Sequence, residues 1–481
     1  MNNTPDPLKN LSKLALVVLA VLFIGGIVFY KERILFADSA FKTFNITNYR
    51  MFSISENRYG SFITQVVPYA MMRLHLSAKA IIKAYAFGFN LFYLLTGLLL
   101  VYKLRQFSIA ILLATYFTLF VSSSYFWPND EVHQAIAYVF LFLGSTLYMG
   151  QKKVGPILLL PVFIALLFLA LFTHFIAIIP LGFLWVYVWL DNKDWPFSRG
   201  WSIALSGIIV LVFLMKFMFV PAKGYDIAKV QRVVHFSLRS AKDVFSTSIV
   251  QTFFIRCLTN YWVAMLAFVA GVVSLVQQRQ RVLAAFSVIC FIGFIIIVGL
   301  TYSDIDDYAN NVYLFHIETE WASLGIIAAT PFVYSVLPRL KPKIGLILLG
   351  VIFATRLGYI YSYLPDFTWR TNFKKEVSTQ MKKRGITKLA LINNKELMTK
   401  FMLDWALSEE SALTSAINKD ASLLTFTFID TNNKEKVELL KSHRSLFTCW
   451  GNIDADKLNP EYFLIDTVHP YQIMTYDELI K

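Results

Sequence analysis

The chain has 481 residues, of which 57% are apolar and only 16% are charged. Soluble globular proteins carry about a quarter charged residues, so an ordinary soluble fold is excluded for most of the chain. The formal net charge is +14; in a membrane protein, Lys and Arg retained on the cytoplasmic side explain such an excess, and nothing in the sequence points to a nucleic-acid partner.

About eleven apolar runs, each long enough to cross roughly 30 Å of hydrocarbon as a helix, account for the shortage of charge. The runs are continuously apolar and do not alternate, which favours helices over a barrel. The predicted spans are 13–30, 80–102, 107–124, 132–150, 155–173, 175–190, 201–220, 260–277, 282–300, 321–337 and 344–363. The first is interpreted as an uncleaved span because no small-residue cleavage site follows it.

Every second loop between these spans is basic, as expected for loops on the cytoplasmic side. The cations concerned are Lys103, Arg105, Lys152, Lys153, Lys193, Arg199, Arg279, Arg281, Arg339, Lys341 and Lys343. This pattern predicts a multi-pass protein of the cell (inner) membrane with a cytoplasmic N-terminus. Segments 31–79 and 221–259 then become long outer loops.

Two regions of the chain depart from the pattern of spans and short loops. Residues 62–76 are apolar but short, and they predict an amphipathic helix lying at the outer interface. After Pro365 the chain turns polar, with strand-type runs at 389–392, 423–429 and 462–465 and helical patterns near 395–408 and 433–441. The fold class is therefore an all-α polytopic domain (residues 1–365) followed by a small extracytoplasmic α/β domain (residues 366–481), large enough to fold alone.

Acids and histidines concentrate on the predicted outer side. Asp38 follows the first span, and Asp130 and Glu131 lie in the next outer loop within WPNDEVH. Ionisable groups near membrane depth commonly mark function, although loop carboxylates are often simply solvated. His174, at the tip of a hairpin, fits either a ligand contact or a local hydrogen bond.

His316, Glu318 and Glu320 recur at every second residue. In an extended segment they share one face, whereas on a helix they spread around it.

A basic stripe is predicted in the second long outer loop. Lys229, Arg232, His235, Arg239 and Lys242 recur every three or four residues, which places them along one side of a helix. Such a stripe suits either a phosphate-bearing lipid substrate or a headgroup anchor. Arg50, Arg58 and Arg73 raise the same question for the first outer loop.

Motifs for other chemistries are missing from the sequence. The three cysteines, Cys257, Cys290 and Cys449, match no metal or redox spacing. No Gly-rich phosphate loop, HExxH or GxSxG motif is present, which argues against a nucleotide-driven pump or a common hydrolase.

The layout resembles the C-type membrane glycosyltransferases, such as protein O-mannosyltransferases and lipid A aminoarabinose transferases. The resemblance covers most of residues 1–365 and is architectural. It rests on an acid in the first outer loop (FADSAF), an interfacial helix at 62–76, a second acidic loop (NDEVH) and a late outer segment (NVYLFHIETEW) before a soluble domain. The chain departs from many members in having Ser39, rather than a second acid, after Asp38.

This resemblance implies inverting transfer of a sugar from a polyprenyl-phosphate donor to an acceptor outside the cytoplasm. It implies Asp38 as general base, and we add Asp130 and Glu131 as catalytic candidates. The predicted substrate-binding residues are Arg58, His174, Arg232, Arg239, His316 and Glu318. The predicted partners are membrane lipid and the lipid-linked donor. The acceptor and any divalent metal are left open, with no metal ligands assigned.

Two other functions stay open at this stage. An oligosaccharide polymerase or ligase also has many spans and a long basic outer loop, and it would place essential Arg and His in segment 221–259. A non-enzymatic lipid or solute transporter would more often show internal repeats, or acids and Gly/Pro breaks within its spans.

Overall fold

The fold is described from a computed structural model. It covers residues 7–128, 131–193, 195–219, 227, 231, 243–302 and 314–481, with side chains in the last range from Glu318 onward. The helices are α1 (Leu8–Val28), α2 (Tyr30–Ile34), α3 (Ala37–Tyr49), α4 (Val66–Arg73), α5 (Ala78–Leu98), α6 (Phe107–Tyr116), α7 (Glu131–Gln151), α8 (Pro156–Thr173), α9 (Ile178–Asp191), α10 (Arg199–Phe219), α11 (Ser248–Thr259), α12 (Trp262–Gln277), α13 (Arg281–Thr301), α14 (Leu314–Pro331), α15 (Pro342–Ser362), α16 (Leu364–Lys383), α17 (Lys395–Phe401), α18 (Leu407–Asn418), α19 (Lys434–Leu439) and α20 (Tyr476–Ile480).

Within these ranges, eight helical segments are long and apolar enough to cross a membrane. They are Leu8–Val28, Ala78–Lys103, Glu131–Gln151, Pro156–Thr173, Arg199–Phe219, Arg281–Thr301, Glu318–Arg339 and Pro342–Lys383. Helices α11 and α12 would make a ninth if they form one span, although they meet at an angle of 85°. The multi-pass prediction is confirmed, while the count of eleven is not.

The remaining predicted spans are short helices. Helix α6 has ten residues and therefore rises only about 15 Å. The apolar segment Phe175–Asp191 is also shorter than a full span. Both segments are as apolar as the neighbouring spans, so hydropathy alone did not distinguish a helix that crosses the membrane from a shorter apolar helix.

The basic loops meet at one end of the helical bundle. A cavity at this end is lined by Arg105, Lys193 and Arg339 together with residues from the start of α1 and the end of α7. Gln280 donates a hydrogen bond to Asp191 at 3.3 Å, which adds the α12–α13 turn to the same end. The chain therefore alternates between two ends as the loop charges predict, and the compartment that each end faces stays a prediction.

The first predicted outer loop is mostly helical. After α2 and α3 comes a 3-10 helix, Tyr59–Gln65, which leads into α4. Helix α4 has eight residues and rises only about 12 Å, so it is too short to cross a bilayer. This agrees with the prediction that residues 62–76 do not form a span. The side of the membrane assigned to every later loop depends on that prediction.

The C-terminal region is an α/β unit. Its strands are β1 (Lys388–Ile392), β2 (Thr425–Ile429), β3 (Ser445–Thr448), β4 (Gly451–Asp454) and β5 (Gln472–Met474). Strands β2, β1 and β5 form a parallel sheet in that order, and β3 and β4 form an antiparallel hairpin. The strand predicted at 462–465 is wrong, because this stretch is irregular. It is connected to the start of the β2 segment by a hydrogen bond of 2.7 Å from the Leu423 amide to the Leu464 carbonyl.

The last span continues into the C-terminal unit as helix. Segment Pro342–Lys383 has 42 residues and extends roughly 63 Å, well beyond the hydrocarbon thickness. The domain boundary predicted after Pro365 therefore falls inside α16. Its buried side is a stripe at helical spacing, formed by Phe367, Arg370, Phe373, Lys374, Val377 and Met381.

The C-terminal unit shares a hydrophobic core with the first outer segment. Phe44 of α3 packs against Phe463 with ring centroids 4.7 Å apart. Ile34 and Leu35 belong to the same buried cluster as Leu413 and other residues of the C-terminal unit. The unit therefore buries part of its apolar surface against α3, and the two regions hold each other in place.

Candidate functional site

Asp38 lies in the first turn of α3, where the positive end of the helix dipole favours a carboxylate. The sequence placed Asp38 in an outer loop, and the structure corrects this to a helix of 13 residues. The side chain is half-buried. One of its oxygens, Oδ2, accepts a hydrogen bond from the indole N–H of Trp127 at 2.8 Å.

A buried ion cluster, which we name the Glu131 cluster, begins one helical turn after Asp38. Lys42, four residues on and so on the same side of α3, forms an ion pair with Oε1 of Glu131. Arg58 approaches Oε2 of Glu131 at 2.7 Å. Three predicted site residues, Asp38, Arg58 and Glu131, are thus brought to one place, and Lys42 connects them.

The Glu131 cluster is closed to solvent on one side and open on the other. The Lys42 and Glu131 side chains are only 3% and 6% exposed, whereas Arg58 is 16% exposed. Tyr85 is fully buried and lies within electrostatic range of both Asp38 and Glu131. Asp38 is therefore the more exposed of the two carboxylates, and Glu131 binds two cations.

Glu318 lies on α14, so the segment 316–320 is helical and not extended. Its Oε2 accepts from the amides of Ser122 and Ser124 and from the Ser123 hydroxyl, at 3.1, 2.9 and 3.0 Å. Its Oε1 accepts from the Tyr261 hydroxyl at 2.5 Å. The carboxylate is fully buried, so Glu318 holds the loop in position.

Glu320 lies two residues after Glu318 on the same helix, so its side chain leaves a different face of α14. Its Oε1 accepts a hydrogen bond from the Tyr302 hydroxyl at 2.6 Å.

One short loop, residues 122–127, joins the separate parts of the site. Its serines bind Glu318, and Trp127 at its other end binds Asp38. The carbonyl of Tyr125 accepts a hydrogen bond from Arg33 at 2.8 Å. Asp38 and Glu318 therefore lie at the same end of the bundle, opposite the basic loops, which the proposed sidedness requires.

Arg33 is a buried cation that the sequence analysis missed. It is 2% exposed and donates to the Asn90 amide oxygen at 3.0 Å. Its guanidinium also lies 4.2 Å from the centre of the Tyr125 ring. Within the described part of the chain no carboxylate pairs with it, and burying an uncompensated charge is costly.

Arg33 borders a cavity between α1 and α5, whose wall also contains Asn90 and His133. Gly26 of α1 is needed for this arrangement, since a Cβ there would stand 2.2 Å from the Arg33 Nη1. A guanidinium that has no carboxylate partner among the described residues is suited to binding an anion such as a phosphate, although the cavity itself, at about 30 Å³, holds little more than water.

A second buried ion group, the Glu410 group, anchors the start of α3. Glu410 is fully buried and contacts Arg370 at 2.5 and 2.8 Å and Lys374 at 2.7 Å. It also accepts a hydrogen bond from the Ala37 amide at 2.9 Å. Burial would raise the pKa of Glu410, but the two cations outweigh that effect and hold the pKa below its ordinary value.

The Glu410 group therefore links the C-terminal unit to the residue just before Asp38. The Leu35 carbonyl also accepts hydrogen bonds from Arg370 at 3.2 Å and from Lys374. These contacts could not be predicted from the sequence, because the partners are more than 330 positions apart. Lys42, by contrast, could have been found from its spacing to Asp38.

Of the other predicted site residues, His174 is described by the structure. His174 is buried at the end of α8, where its Nδ1 accepts from the Ile176 amide at 3.4 Å. Thr173 lies against Gly60, two residues beyond Arg58, so His174 belongs to the same end of the bundle. Asp130, Arg232, Arg239 and the rest of the basic stripe lie outside the described residues, as does the side chain of His316.

The comparisons with known proteins found no match among protein-family models, curated proteins or solved structures. Among the described residues, no group of three or more His, Cys, Asp or Glu side chains could hold a metal ion. The three cysteines are free. The fold and site define a multi-pass membrane protein with an accessible carboxylate, a buried ion cluster and a cation-lined cavity at one end of the bundle.

Proposed function

We propose that the chain is a membrane glycosyltransferase that moves a sugar from a polyprenyl-phosphate donor to an acceptor on the extracytoplasmic side. The observation that carries the proposal is the position of Asp38. A half-exposed carboxylate, oriented by Trp127, stands beside the Glu131 cluster at the end of a helical bundle. A base at a membrane surface must be both accessible and held in position, and Asp38 meets both requirements.

The reaction consists of one displacement at the anomeric carbon. The acceptor hydroxyl gives its proton to the Asp38 carboxylate while its oxygen forms the new bond to that carbon. The bond from the same carbon to the phosphate oxygen breaks, and the polyprenyl phosphate leaves with the electron pair. Attack from the face opposite the leaving group inverts the anomeric centre, and Asp38 then releases its proton to water.

Arg33 is the residue best suited to receive the phosphate. It borders a small cavity of about 30 Å³ that is walled by α1, α5 and the segment 117–133, and donor binding has to widen this cavity before the phosphate reaches the guanidinium. Stabilising the departing phosphate by a buried cation is an effective way to lower the barrier, because low dielectric strengthens the interaction. Arg58, which is already bound to Glu131, is secondary in this scheme.

The test is Asp38→Asn in the full-length protein in lipid nanodiscs. A panel of polyprenyl-phosphate hexoses and pentoses is supplied with a glycan and lipid extract as acceptor, and release of polyprenyl phosphate is measured. Asparagine keeps an oxygen for the Trp127 hydrogen bond but cannot act as base, so we expect a rate loss on the order of 10²–10⁴-fold.

The matched control is Glu56→Gln, which removes an exposed carboxylate from the same outer segment. Its rate should equal that of the wild type. Undiminished transfer by Asp38→Asn would remove Asp38 from catalysis. A wild-type protein that turns over no donor in the panel would contradict the transferase proposal itself.

A further inference from the structure

The open face of α3 continues away from Asp38. The half-exposed residues among the first nine of this helix are Asp38, Phe41 and Asn45, while the residues between them are buried. Their spacing of three and four places them on one side of the helix. Phe41 therefore stands next to Asp38 on the accessible face.

Phe41 begins a row of aromatic rings that leads onto the C-terminal unit. Its ring centroid is 5.4 Å from that of Trp405, and Trp405 is 6.3 Å from Trp450. The exposure increases outward along this aromatic row, from half-buried Phe41 and Trp405 to Trp450, which is 77% exposed.

The backbone holds Trp450 in its exposed position. Trp450 lies in the turn between β3 and β4, where its amide donates to the Thr448 hydroxyl at 3.2 Å. The same hydroxyl donates to the Gly451 carbonyl at 2.7 Å. Gly451 has a φ of +120°, which only glycine adopts without strain. The turn therefore presents the Trp450 indole to solvent at the outer end of the row.

We propose that the aromatic row Phe41–Trp405–Trp450 binds a neutral glycan, which is the acceptor of the proposed transfer. The faces of aromatic rings are electron-rich and attract the C–H groups on the flat side of a pyranose. The ring planes are inclined to one another by 60° and 68°, so a pyranose stacks on the exposed face of Trp450 and the rest of the glycan runs along the edges of the inner two rings. The role as acceptor rests on the proposed function, whereas glycan binding does not.

The carboxylates beside the row favour a neutral polyhydroxyl chain over a phosphate-bearing lipid, although Lys436 also lies within electrostatic range of Asp404. Asp404 directly precedes Trp405 and is half-buried, and Asp38 stands at the inner end. Carboxylates accept hydrogen bonds from sugar hydroxyls and repel phosphates. The competing occupant is the bilayer surface, where exposed tryptophans also gather.

The experiment uses the full-length protein in nanodiscs with 5-fluorotryptophan incorporated. The Trp450 resonance is identified from the Trp450→Phe variant. Maltohexaose, mannohexaose and xylohexaose are titrated separately, and zwitterionic and anionic vesicles are added in parallel samples. We expect at least one oligosaccharide to shift the Trp450 resonance and the vesicles to leave it unchanged.

The variants measure how much each ring contributes. Trp450→Ala should weaken binding of that oligosaccharide by tenfold or more, and Trp450→Tyr should retain most of it. Val468→Ala, at a position of the same unit that is 70% exposed, should have no effect. Because Trp450 and Val468 are exposed, neither change disturbs a core.

The outcomes separate this inference from the proposed function. A resonance that responds to vesicles and to no oligosaccharide would make Trp450 a membrane contact and overturn the glycan site. Oligosaccharide binding in a protein that transfers no sugar would keep the site and overturn the transferase. Sugar transfer that is unaffected by Trp450→Ala at limiting acceptor would overturn the acceptor role.

Discussion

Two buried carboxylates of this protein, Glu131 and Glu410, each bind one lysine and one arginine, yet their surroundings differ. The Arg58 side chain that binds Glu131 is 16% exposed, and half-buried Asp38 lies one helical turn from Lys42. Glu410 is fully enclosed, and its partners Arg370 and Lys374 are 2% exposed. The first group is partly exposed through Arg58, and the second group is sealed.

The contrast shows that the same set of charges supports different tasks depending on access to water. A sealed ion group fixes geometry, because any change of partner leaves a buried charge unpaired. An ion group with an open side can exchange partners with a ligand at lower cost. The Glu410 group thus positions α3, and the Glu131 cluster places charge around the accessible Asp38.

The largest expected effect comes from Glu410→Gln. The neutral side chain leaves Arg370 and Lys374 buried without a counter-charge, so we expect the free energy of unfolding to fall by about 3–5 kcal/mol. Unfolding of the detergent-solubilised protein by urea, followed by tryptophan fluorescence, measures the loss. The control is Glu461→Gln, which removes a half-exposed partner of Arg50 and should cost less than about 1 kcal/mol. Equal losses in both variants would contradict the stabilising role of the buried Glu410 group.

Glu131→Gln should be milder for stability. Only Lys42 stays buried without its counter-charge, while Arg58 can turn towards water, so we expect a loss of roughly 1.5–3 kcal/mol in the same urea experiment. Sugar transfer should fall more than stability suggests, because Lys42 and Arg58 lose the carboxylate that holds them beside Asp38. A stability loss as large as that of Glu410→Gln would show that both groups are sealed.

A third expected effect is a pH dependence at Glu409, beside Glu410. Burial, together with the Glu410 charge and against the effect of a backbone hydrogen bond, raises the pKa of Glu409 from an ordinary value of 4.5 to about 8. Between pH 4.5 and about pH 8, the folded protein therefore keeps a proton on Glu409 that the unfolded chain loses. The stabilisation is full below pH 4.5 and is lost as the pH rises through about 8.

Glu409→Gln removes this titration while keeping the neutral shape. Between about pH 5 and about pH 8.5, the melting temperature of the variant should fall less than that of the wild type. Glu435→Gln, an exposed carboxylate of α19, should follow the wild type throughout. Parallel curves for wild type and Glu409→Gln would show that Glu409 is ionised in the folded protein.

Local sequence was enough to predict some of the site. Asp38, Arg58 and Glu131 were selected from their position in predicted outer loops, and the structure brings all three together. Lys42 follows Asp38 at helical spacing, but it was missed because residues 31–79 were interpreted as a long loop rather than as a series of helices. Arg33 carried a weak signal, as an ionisable residue at the end of the first apolar run.

The sequence by itself determined the membrane class, most of the spans and the alternation of basic loops. These properties depend on runs of apolar residues and on local charge, which are contiguous in the chain. Only the tertiary structure decided that Glu410 caps α3, that Glu318 holds the 122–127 loop and that Trp405 extends a row begun by Phe41. Such contacts join residues hundreds of positions apart, and their partners are chosen by packing, which no local pattern records.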